Sequence, residues 1–385
     1  MMNGMMEMDR QIEAPPREPA PCFHGGAFFE AIGTEFDHLQ RRNEIINADV
    51  LDAWFPPSPL ALRALRDDLG WLLRTSPPAA ADGLVRTIAR VRGLPQDCIL
   101  PAGGSSNLIF LALRQWLTPG SRVLLLDPTY GEYAHVLEHV IGCQVERFTL
   151  RREEAYMVNL ELLAQRLTEP FDLVILVNPN NPTGRHVPRR DLEALLQRIP
   201  TTTRVWIDEA YLDYVGTAES LEHFAAHSHN VVVCKSMSKV YALSGARVAY
   251  LCAAPDIVAE LRALTPPWAV SLPGQVAAVR ALQDPAYYAA RYEETHRLRA
   301  RLEKELAAFP GWEIVPGCAN FVLCHLPEHG LDAAAIVRRC RARGLFLRDA
   351  GIMGHSLGRH ALRFAVKAAP TQQRMLRILR ESLLL

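Results

Sequence analysis

The sequence has very little lysine, no net charge and no long apolar run. Only four of its 42 basic residues are lysines, at positions 235, 239, 304 and 367. Lysine plus arginine balances aspartate plus glutamate at 42 each, so no strong net field draws the chain to nucleic acid or to an anionic membrane. No apolar run approaches the ~18 residues of a membrane-spanning helix. These absences favour a small-molecule partner and predict neither a nucleic-acid nor a membrane partner.

Cysteine is present, but not at the spacing of a structural cysteine site. The eight cysteines are scattered and include no CxxC pair. We therefore expect reduced thiols in the core, and we predict no metal site and no disulfide framework. The N-terminal stretch MMNGMMEMDRQIEAPPREPAP carries acids and prolines where a secretory signal needs a continuous apolar run. This pattern predicts a cytoplasmic protein.

The chain is long enough for two domains. Its 385 residues are 49% hydrophobic and 22% charged, values typical of chains that fold around a core. Residues 1–60 are predicted to form an N-terminal arm and a connecting segment, in which Pro56, Pro57 and Pro59 should prevent a helix. We place a large domain at residues 61–285 and a small C-terminal domain at residues 286–385.

Apolar runs alternate with helical stretches between residues 60 and 265. The runs are nearly continuous, as in strands that helices cover on both faces: RVLLLD (122–127), DLVILVN (172–178), RVWID (204–208), NVVVC (230–234) and RVAYLC (247–252). This alternation predicts an α/β fold with a mostly parallel central sheet flanked by helices. The helical spacing is clearest at 108–117, 189–199 and 286–309.

The C-terminal part shows a different pattern. Strand candidates at 321–326 and 361–366 surround a helix candidate near 333–343. The sequence therefore predicts a smaller α+β domain after the long helix at 286–309.

Polar motifs follow four of the apolar runs. They are DPTYGEY (127–133), NPNNPTG (178–184), DEAYLDY (208–214) and KSMSKVYALSGAR (235–247). In open α/β sheets, ligands bind beyond the carboxyl ends of the strands. We therefore expect these motifs to form one polar site from distant parts of the sequence.

These motifs carry a family resemblance. PAGGSSN (101–107), DPTYGEY, NPNNPTG, DEAY, and SMSK followed eight residues later by Arg247, resemble the class I/II aminotransferases. The nearest subgroup is that of histidinol-phosphate aminotransferase and threonine-phosphate decarboxylase. The resemblance implies a fold-type I enzyme that depends on pyridoxal 5′-phosphate (PLP). It also implies a homodimer with active sites at the subunit interface.

The resemblance implies a role for each residue, and the chemistry of PLP explains why each is needed. Lys239 is the lysine of the Schiff base and the proton shuttle; Lys235 is its competitor. Asp208 keeps the ring nitrogen protonated, so that the ring can act as an electron sink. Asn181 and Tyr211 hold the 3′ oxygen of the ring. Each residue also has a structural alternative. Lys239 is then a surface lysine and Asp208 a helix cap. Asn181 is then a turn residue and Tyr211 a core aromatic.

The phosphate of PLP needs a cradle of hydrogen-bond donors. The GGSSN stretch before an apolar helix offers free backbone N–H groups at a helix N-terminus, although such a stretch is also a plain N-cap. A guanidinium binds phosphate oxygens bidentately. The residues of the predicted cradle are Gly104, Ser105, Ser106, Ser236, Ser238 and Arg247. Tyr130 is expected on the face of the ring, with a core aromatic as its alternative.

The substrate side is less regular than the cofactor side. By resemblance, Arg363 grips the α-carboxylate of the substrate, and Arg348 helps to hold a phosphate or another distal acid; a surface arginine is the alternative for Arg348. The subgroup's interface tyrosine is replaced by Ser76 in LLRTSPP. The usual substrate-side segment is replaced by NADVLDAWFPPSP, which is expected to bring Asp52 and Trp54 towards the mouth of the site.

Three functions remain open at this level. The first is amino-group transfer from an amino acid or an amino-acid derivative, which is phosphorylated or acidic if Arg348 contacts it. The same site supports decarboxylation, or elimination or replacement at Cβ or Cγ, because the orientation of the bond to be broken selects the reaction. The third is a PLP-binding regulator of DNA binding, but the residues before 75 lack a basic helix-turn-helix pattern.

Overall fold

The structure is a computed structural model that describes residues 25–384. The first part of the predicted N-terminal arm, residues 1–24 with Cys22, lies outside the described residues. The strands are β1 (Ile46–Asn47), β2 (Ile99–Ala102), β3 (Arg122–Asp127), β4 (Gln144–Thr149), β5 (Leu173–Val177), β6 (Arg204–Asp208), β7 (Val231–Ser236), β8 (Ala249–Cys252), β9 (Glu313–Val315), β10 (Phe321–His325), β11 (Leu345–Phe346), β12 (Arg348–Asp349) and β13 (Ala361–Ala365).

The helices fall mainly between the strands. They are α1 (Phe28–Ile32), α2 (Pro59–Arg74), α3 (Asp82–Arg92), α4 (Ser105–Trp116), α5 (Gly131–His135), α6 (Leu160–Arg166), α7 (Arg189–Leu196), α8 (Glu222–Ala226), α9 (Met237–Val240), α10 (Pro255–Ala263), α11 (Leu272–Leu282), α12 (Pro285–Ala307), α13 (Ala333–Arg341) and α14 (Ala369–Leu383). A π-helical turn at Val136–Ile141 continues α5.

The central sheet has seven strands in the order β2-β8-β7-β6-β5-β3-β4. Strands β3 to β7 run parallel, whereas β8 is antiparallel to both of its neighbours. The predicted α/β fold with a mostly parallel sheet is confirmed, and β8 is the exception within it. Its run starts at Ala249 rather than at Arg247, because Arg247 has a φ of 52° and lies in the turn before the strand.

The sheet is buried on both faces, as its apolar runs predicted. Along β5, Val174 and Leu176 pack into one hydrophobic core, and Leu173, Ile175 and Val177 pack into the other. Successive side chains of a strand point to opposite faces, so a continuous apolar run serves two cores at once. This packing fixes the carboxyl ends of the strands, where the polar motifs begin.

The expectation that Pro59 prevents a helix is wrong. Helix α2 begins at Pro59, and the hydroxyl of Ser58 accepts a hydrogen bond from the backbone N–H of Ala61. Proline is well tolerated in the first helical turn, since its missing N–H would have no partner within the helix there. Ser58 and Pro59 together therefore start the helix.

The C-terminal part contains a four-stranded antiparallel sheet in the order β12-β13-β10-β9. The strands predicted at 321–326 and 361–366 are β10 and β13, and the helix predicted near 333–343 is α13. Strand β1 pairs in parallel with β11, so the segment before α2 joins this part of the molecule. The domain limits at residues 60 and 285 stay a prediction.

Among residues 25–384, no helix combines the length and the apolar character that crossing a membrane requires. Within the same range, no group of three or more histidine, cysteine or acidic side chains is arranged to hold a metal ion.

Candidate active site

A cavity of about 420 Å³ lies at the carboxyl edge of the central sheet. Val177, Asp208 and Ser236, the ends of β5, β6 and β7, all line it. The predicted site residues that line it are Ser105, Ser106, Tyr130, Asn181, Asp208, Tyr211, Ser236, Ser238, Lys239, Arg247, Arg348 and Arg363. Gly104 is the residue before Ser105 in the sequence but is not itself part of the lining. Trp54 does not line the cavity. The motifs therefore meet at one site.

Lys239 is placed on this cavity by the end of β7. Helix α9 begins directly after the strand, and the hydroxyl of Ser236 caps it by accepting a hydrogen bond from the backbone N–H of Ser238. The Lys239 Nζ lies 3.1 Å from Oδ1 of Asp52 and 3.5 Å from the hydroxyl of Ser244. The side chain is half-buried and forms part of the cavity wall.

Lys235 lies four residues earlier and points elsewhere. It is 3% exposed, and its Nζ lies 3.1 Å from carboxylate oxygens of both Glu209 and Asp213. Burial alone would lower the pKa of Lys235, but Asp213 and Glu209 outweigh burial and raise it. Lys235 is a charged member of a buried ion-pair cluster, so its amine does not face the cavity.

Asp208 is oriented by hydrogen bonds to both of its carboxylate oxygens. Oδ1 accepts from the backbone N–H of Ala210 at 2.9 Å, and Oδ2 accepts from the hydroxyl of Tyr133 at 2.7 Å. The indole of Trp206 donates in turn to the Tyr133 hydroxyl at 2.8 Å. Burial raises the pKa of Asp208 to about 6, although the hydrogen bond from Tyr133 opposes this shift. A cation opposite Asp208 would favour the ionised carboxylate.

Tyr133 is a functional candidate that the sequence reasoning missed. It is fully buried, and it links Trp206 on the strand to the carboxylate of Asp208. Burial strongly raises the pKa of its phenol, which therefore stays a hydrogen-bond donor. The signal was the second tyrosine of DPTYGEY, which lies on helix α5 one turn after Tyr130.

Arg363 and Asn181 are joined to each other. Nη1 of Arg363 donates to Oδ1 of Asn181 at 2.6 Å, and Nη2 donates to the backbone carbonyl of Asp49 at 2.7 Å. Burial lowers the pKa of Arg363 to about 10, and the charge of the neighbouring Arg348 acts in the same direction. Tyr211 packs edge-on against Phe321 at 5.3 Å between ring centres, beside this pair. A buried guanidinium at a cavity is a strong partner for a carboxylate or a phosphate.

The predicted phosphate cradle is built around Gly104 and Arg247. Gly104 is the N-cap of α4 with a φ of 101°, and a Cβ at this position would collide with the Arg247 guanidinium. Arg247 also has a positive φ, 52°, and Nη1 donates to the Ser244 carbonyl at 3.1 Å and to the Ser238 hydroxyl at 3.4 Å. The N-terminus of α4 and the guanidinium thus face one spot, an arrangement suited to an anion.

Ser106 and Tyr130 both donate to a residue that the sequence reasoning did not select. Oε2 of Glu132 accepts from the Ser106 hydroxyl at 2.9 Å and from the Tyr130 hydroxyl at 2.7 Å. Glu132 is 1% exposed. Burial raises the pKa of Tyr130, and the Glu132 carboxylate adds to this, so the phenol remains a donor. The signal for Glu132 was an acid between the two tyrosines of DPTYGEY.

Arg348 forms a buried ion pair with Asp49, also missed in the sequence. Its Nε lies 2.6 Å from Oδ1 of Asp49. Arg348 on β12 is the register partner of Arg363 on β13, so the two guanidinium groups come from neighbouring strands. A Cβ at Gly25 would lie 2.8 Å from the second oxygen of Asp49, which leaves room there only for glycine. This wall of the cavity carries two arginines and one compensating acid.

The prediction that Trp54 binds substrate is not supported by its position. Its indole N–H donates to the hydroxyl of Thr295 on α12 at 2.8 Å, and its ring packs edge-on against Phe55. The Arg291 guanidinium lies 5.6 Å from the indole centre. The apolar body and the polar tip of Trp54 both have partners away from the cavity. Asp52, from the same segment, does reach Lys239.

These residues fit PLP, as judged from the geometry of the described side chains. A cradle that leaves no space for a Cβ at Gly104 adjoins a guanidinium and a helix N-terminus. Across the cavity, a buried carboxylate at Asp208 is held by two donors and would gain from a cationic ring nitrogen. Lys239 lines the same cavity and supplies an accessible amine.

Comparison with known proteins identifies the family. The family described as "Aminotransferase class I and II" matches residues 55–381. The chain is 30% identical over 331 residues to a histidinol-phosphate aminotransferase of Moorella thermoacetica, covering 85% of this chain and 82% of that one. It is 33% identical over 273 residues to the enzyme of the same name from Anaeromyxobacter sp., covering 70% and 74%.

Solved structures agree with the sequence comparison. The histidinol-phosphate aminotransferase of Sinorhizobium meliloti, in complex with pyridoxal-5′-phosphate, matches with a TM-score of 0.82 at 25% identity, over 97% of this chain and 98% of that one. The L-threonine-O-3-phosphate decarboxylase of Porphyromonas gingivalis has the same fold, with a TM-score of 0.75 at 22% identity over 88% and 99%. The family resemblance read from the motifs is confirmed: the chain belongs to the class I and II aminotransferases and is an enzyme that uses PLP.

Proposed function

We propose that this aminotransferase uses Lys239 to bind PLP and to move the proton of the substrate. The observation that carries the proposal is the convergence of Lys239, Asp208, Arg247 and Arg363 on one cavity. PLP supplies an aldehyde that binds amines covalently and a ring that withdraws electrons from the bound substrate. The chain supplies the groups that hold and protonate the reacting atoms.

Each group has one role in this proposal. The Lys239 amine would take a proton from Cα of the substrate and deliver it to the PLP carbon bonded to the substrate nitrogen, since a lysine at this position can act first as base and then as acid. Asp208 holds a proton at the ring nitrogen, and Tyr133 keeps its carboxylate in place. The Arg247 guanidinium and the N-terminus of α4 bind the phosphate.

We further propose a substrate that carries a phosphate or another acidic group. Arg363 and Arg348 lie on neighbouring strands of one cavity wall, which supports an anionic group there. The similarity to histidinol-phosphate aminotransferases supports a phosphate ester as the first candidate. The anion must share Arg348 with Asp49, whose carboxylate already neutralises that guanidinium.

The substrate proposal is tested by removing the competing acid. Asp49→Asn should lower KM for a phosphorylated or acidic amino donor by about tenfold, because a hydrogen bond to a charged group contributes roughly 1.5–3 kcal/mol once no carboxylate competes for Arg348. For a neutral amino donor, KM should change little. A higher KM for the anionic donor alone would contradict the proposal.

The reaction itself is tested by measuring products. L-histidinol phosphate, L-glutamate and a neutral amino acid are each offered as the amino donor with 2-oxoglutarate or another oxo acid as acceptor. We expect an oxo product and an aminated acceptor in equal amounts. Lys239→Ala should abolish both, and Lys304→Ala, which removes an exposed lysine on α12, should retain them. Release of CO₂ from the amino acids without transfer would indicate a decarboxylase instead.

We also propose a homodimer. Helix α2 packs against α11 on one side, but it exposes five large apolar side chains elsewhere: Leu60, Leu62, Leu69, Trp71 and Leu73. Leu73 is 70% and Trp71 is 51% exposed. Five large exposed apolar side chains on one helix exceed the single scattered ones of an ordinary surface, which favours an interaction surface. A second copy of the chain is the partner that the family resemblance implies.

Sedimentation of the purified protein tests the dimer. We expect twice the mass of one chain for the wild type and the mass of one chain for Trp71→Glu combined with Leu73→Glu. Leu162→Glu on α6, which replaces a leucine with 52% exposure, is the matched control and should sediment like the wild type. A wild-type protein with the mass of a single chain would contradict the proposal.

A further inference from the structure

Lys239 makes an ion pair that none of the roles above requires. Its Nζ lies 3.1 Å from Oδ1 of Asp52, and the Ser244 hydroxyl lies 3.5 Å from the same nitrogen. The Asp52 side chain is 39% and the Lys239 side chain 20% exposed, so water screens the pair only in part. Asp52 therefore acts on the one lysine whose protonation the proposed reaction depends on.

Asp52 is held in place from both sides along the chain. The carbonyl of Leu51, directly before it, accepts a hydrogen bond from the side-chain amide of Asn320 at 2.9 Å. Two residues after it, the indole of Trp54 donates to Thr295 on α12. Asn320, directly before β10, and Thr295 on α12 thus fix the short segment that presents the carboxylate. In this arrangement, Trp54 anchors the segment that carries Asp52.

The groups around Asp52 favour its ionised form. Burial by itself would raise the pKa of Asp52, but the charge of Lys239 and the hydrogen bonds from Ser244 and Lys239 lower it. Lys367, two residues after β13, adds a second positive charge, and Tyr211 is the other titratable group that senses the carboxylate. Burial lowers the pKa of Lys367 to about 8, against the opposing effect of Asp52.

We propose that Asp52 is a positioning residue for Lys239, which holds the Lys239 nitrogen at the mouth of the cavity and stabilises a proton on it. The inference rests on the proposed role of Lys239 in binding PLP. A carboxylate close to an amine favours the charged nitrogen and limits the directions in which it can point. The nitrogen is then kept within reach of the cavity when a substrate amine displaces it from the coenzyme.

The test uses the holoenzyme and a readout other than activity. The visible absorption of PLP bound through a lysine nitrogen changes when that nitrogen loses its proton, so the midpoint of a pH titration reports the protonation of Lys239. Asp52→Asn should move this midpoint down by about 0.5–1 pH unit, because an opposite charge 3.1 Å from the nitrogen has been removed from a partly solvated pair. Asp52→Glu, which keeps the charge, should reverse at least half of the displacement seen in Asp52→Asn.

Asp49→Asn is the matched control. It removes the same charge from the same segment, but Asp49 pairs with Arg348 rather than with Lys239. We expect a midpoint within a few tenths of a pH unit of the wild type, since its charge is already compensated. Equal midpoints in the wild type and Asp52→Asn, or equal displacements in Asp49→Asn and Asp52→Asn, would overturn the inference.

The failure of this inference differs from the failure of the proposed function. If Lys239→Ala still binds PLP through a lysine, with the visible band retained, the assignment of Lys239 is wrong. If the band is lost in Lys239→Ala, but the wild type and Asp52→Asn titrate with the same midpoint, only the inference about Asp52 is wrong.

Discussion

Lys235 and Lys239 lie four residues apart at the end of one strand, in surroundings that differ in charge balance. Around Lys235, two carboxylates lie within 3.1 Å, and Arg92 pairs with Asp213 at 2.7 Å, so the protein itself compensates each charge. Around Lys239, one partly exposed acid faces the amine beside an open cavity. The charges around Lys235 are paired within the protein and buried. The charge of Lys239 lies beside a cavity, where a ligand can contact it.

The comparison shows why motif position alone does not assign a lysine. Both residues follow the same apolar run, and both belong to KSMSK. Lys235 still lies within β7, where successive side chains alternate between faces and the strand fixes its direction. Lys239 lies one turn later, on α9, where the chain has left the sheet. The different surroundings of the two lysines follow from that change of element.

The largest expected effect is that of Lys239→Ala. Loss of a positioned acid and base costs about 10²–10⁴-fold in turnover, and loss of the lysine that we propose binds PLP adds to this. Stability should change by less than about 1 kcal/mol, since this side chain is partly exposed and its ion pair is screened. Turnover and the urea midpoint of the same preparation measure both quantities. Unchanged turnover would erase the distinction between the two lysines.

The reverse pattern is expected for Lys235→Met. It leaves Glu209 and Asp213 without their shared partner, and breaking a buried ion pair in this way costs roughly 3–5 kcal/mol of unfolding free energy. The urea midpoint of the purified variant, with circular dichroism as the signal, gives the value. Lys304→Met, on the exposed side of α12, is the control and should unfold like the wild type. A variant as stable as this control would show that the cluster around Lys235 contributes little.

The buried carboxylate of Asp208 should lower the stability of the cofactor-free protein, because its proposed partner is the ring nitrogen of PLP. Burial raises its pKa from an ordinary value of 3.8 to about 6, so the carboxylate destabilises the folded cofactor-free protein above about pH 6, and this penalty disappears below the unfolded pKa. Asp208→Asn should therefore stabilise the cofactor-free protein by about 1–3 kcal/mol at roughly pH 8. The gain should shrink towards zero near pH 4 and be accompanied by weak PLP binding.

Thermal unfolding of the cofactor-free protein across that pH range checks this prediction. Tyr133→Phe is a useful companion, since it removes the donor to Asp208 and leaves the carboxylate. We expect it to destabilise the protein where Asp208→Asn stabilises it. A melting temperature of Asp208→Asn below that of the wild type at all pH values would speak against a buried charge that awaits a cation.

The smallest expected effect is that of Trp54→Phe. It removes the hydrogen bond to Thr295 and should cost about 0.5–1.5 kcal/mol of stability. KM for the amino donor should change less than twofold, because the indole lies outside the cavity. A steady-state comparison with Trp268→Phe, which alters an exposed tryptophan between α10 and α11, separates the two cases. A large increase in KM for the amino donor would instead show that Trp54 contributes to substrate binding.

Much of the fold was readable from the sequence because the apolar runs are long and uninterrupted. They mark β3, β5, β6 and β7 almost to the residue, and the rule for carboxyl strand ends then gives the location of the site. The direction of β8 was not readable, since an antiparallel strand inside such a sheet has the same apolar composition as a parallel one. Pro59 was misread because proline starts a helix as well as it prevents one.

The residues missed at the site share a physical reason. Tyr133, Glu132 and Asp49 each bind another side chain of the site. Such contacts depend on which segments the tertiary fold brings together, and the spacing of residues along the sequence does not indicate this. The same limit applies to Trp54, which was expected at the mouth of the site together with Asp52: the structure gives the two side chains partners on different elements, and the substrate role of Trp54 stays a prediction.

One measurement tests the contrast between the two lysines most directly. The holoenzyme is reduced with borohydride, which fixes PLP to its lysine, and the peptides are mapped by mass spectrometry. With four lysines in the chain, the label has few places to go. We predict that it lies on Lys239 and that Lys235 carries none. A label on Lys235, or PLP that remains unattached after reduction, would contradict the account.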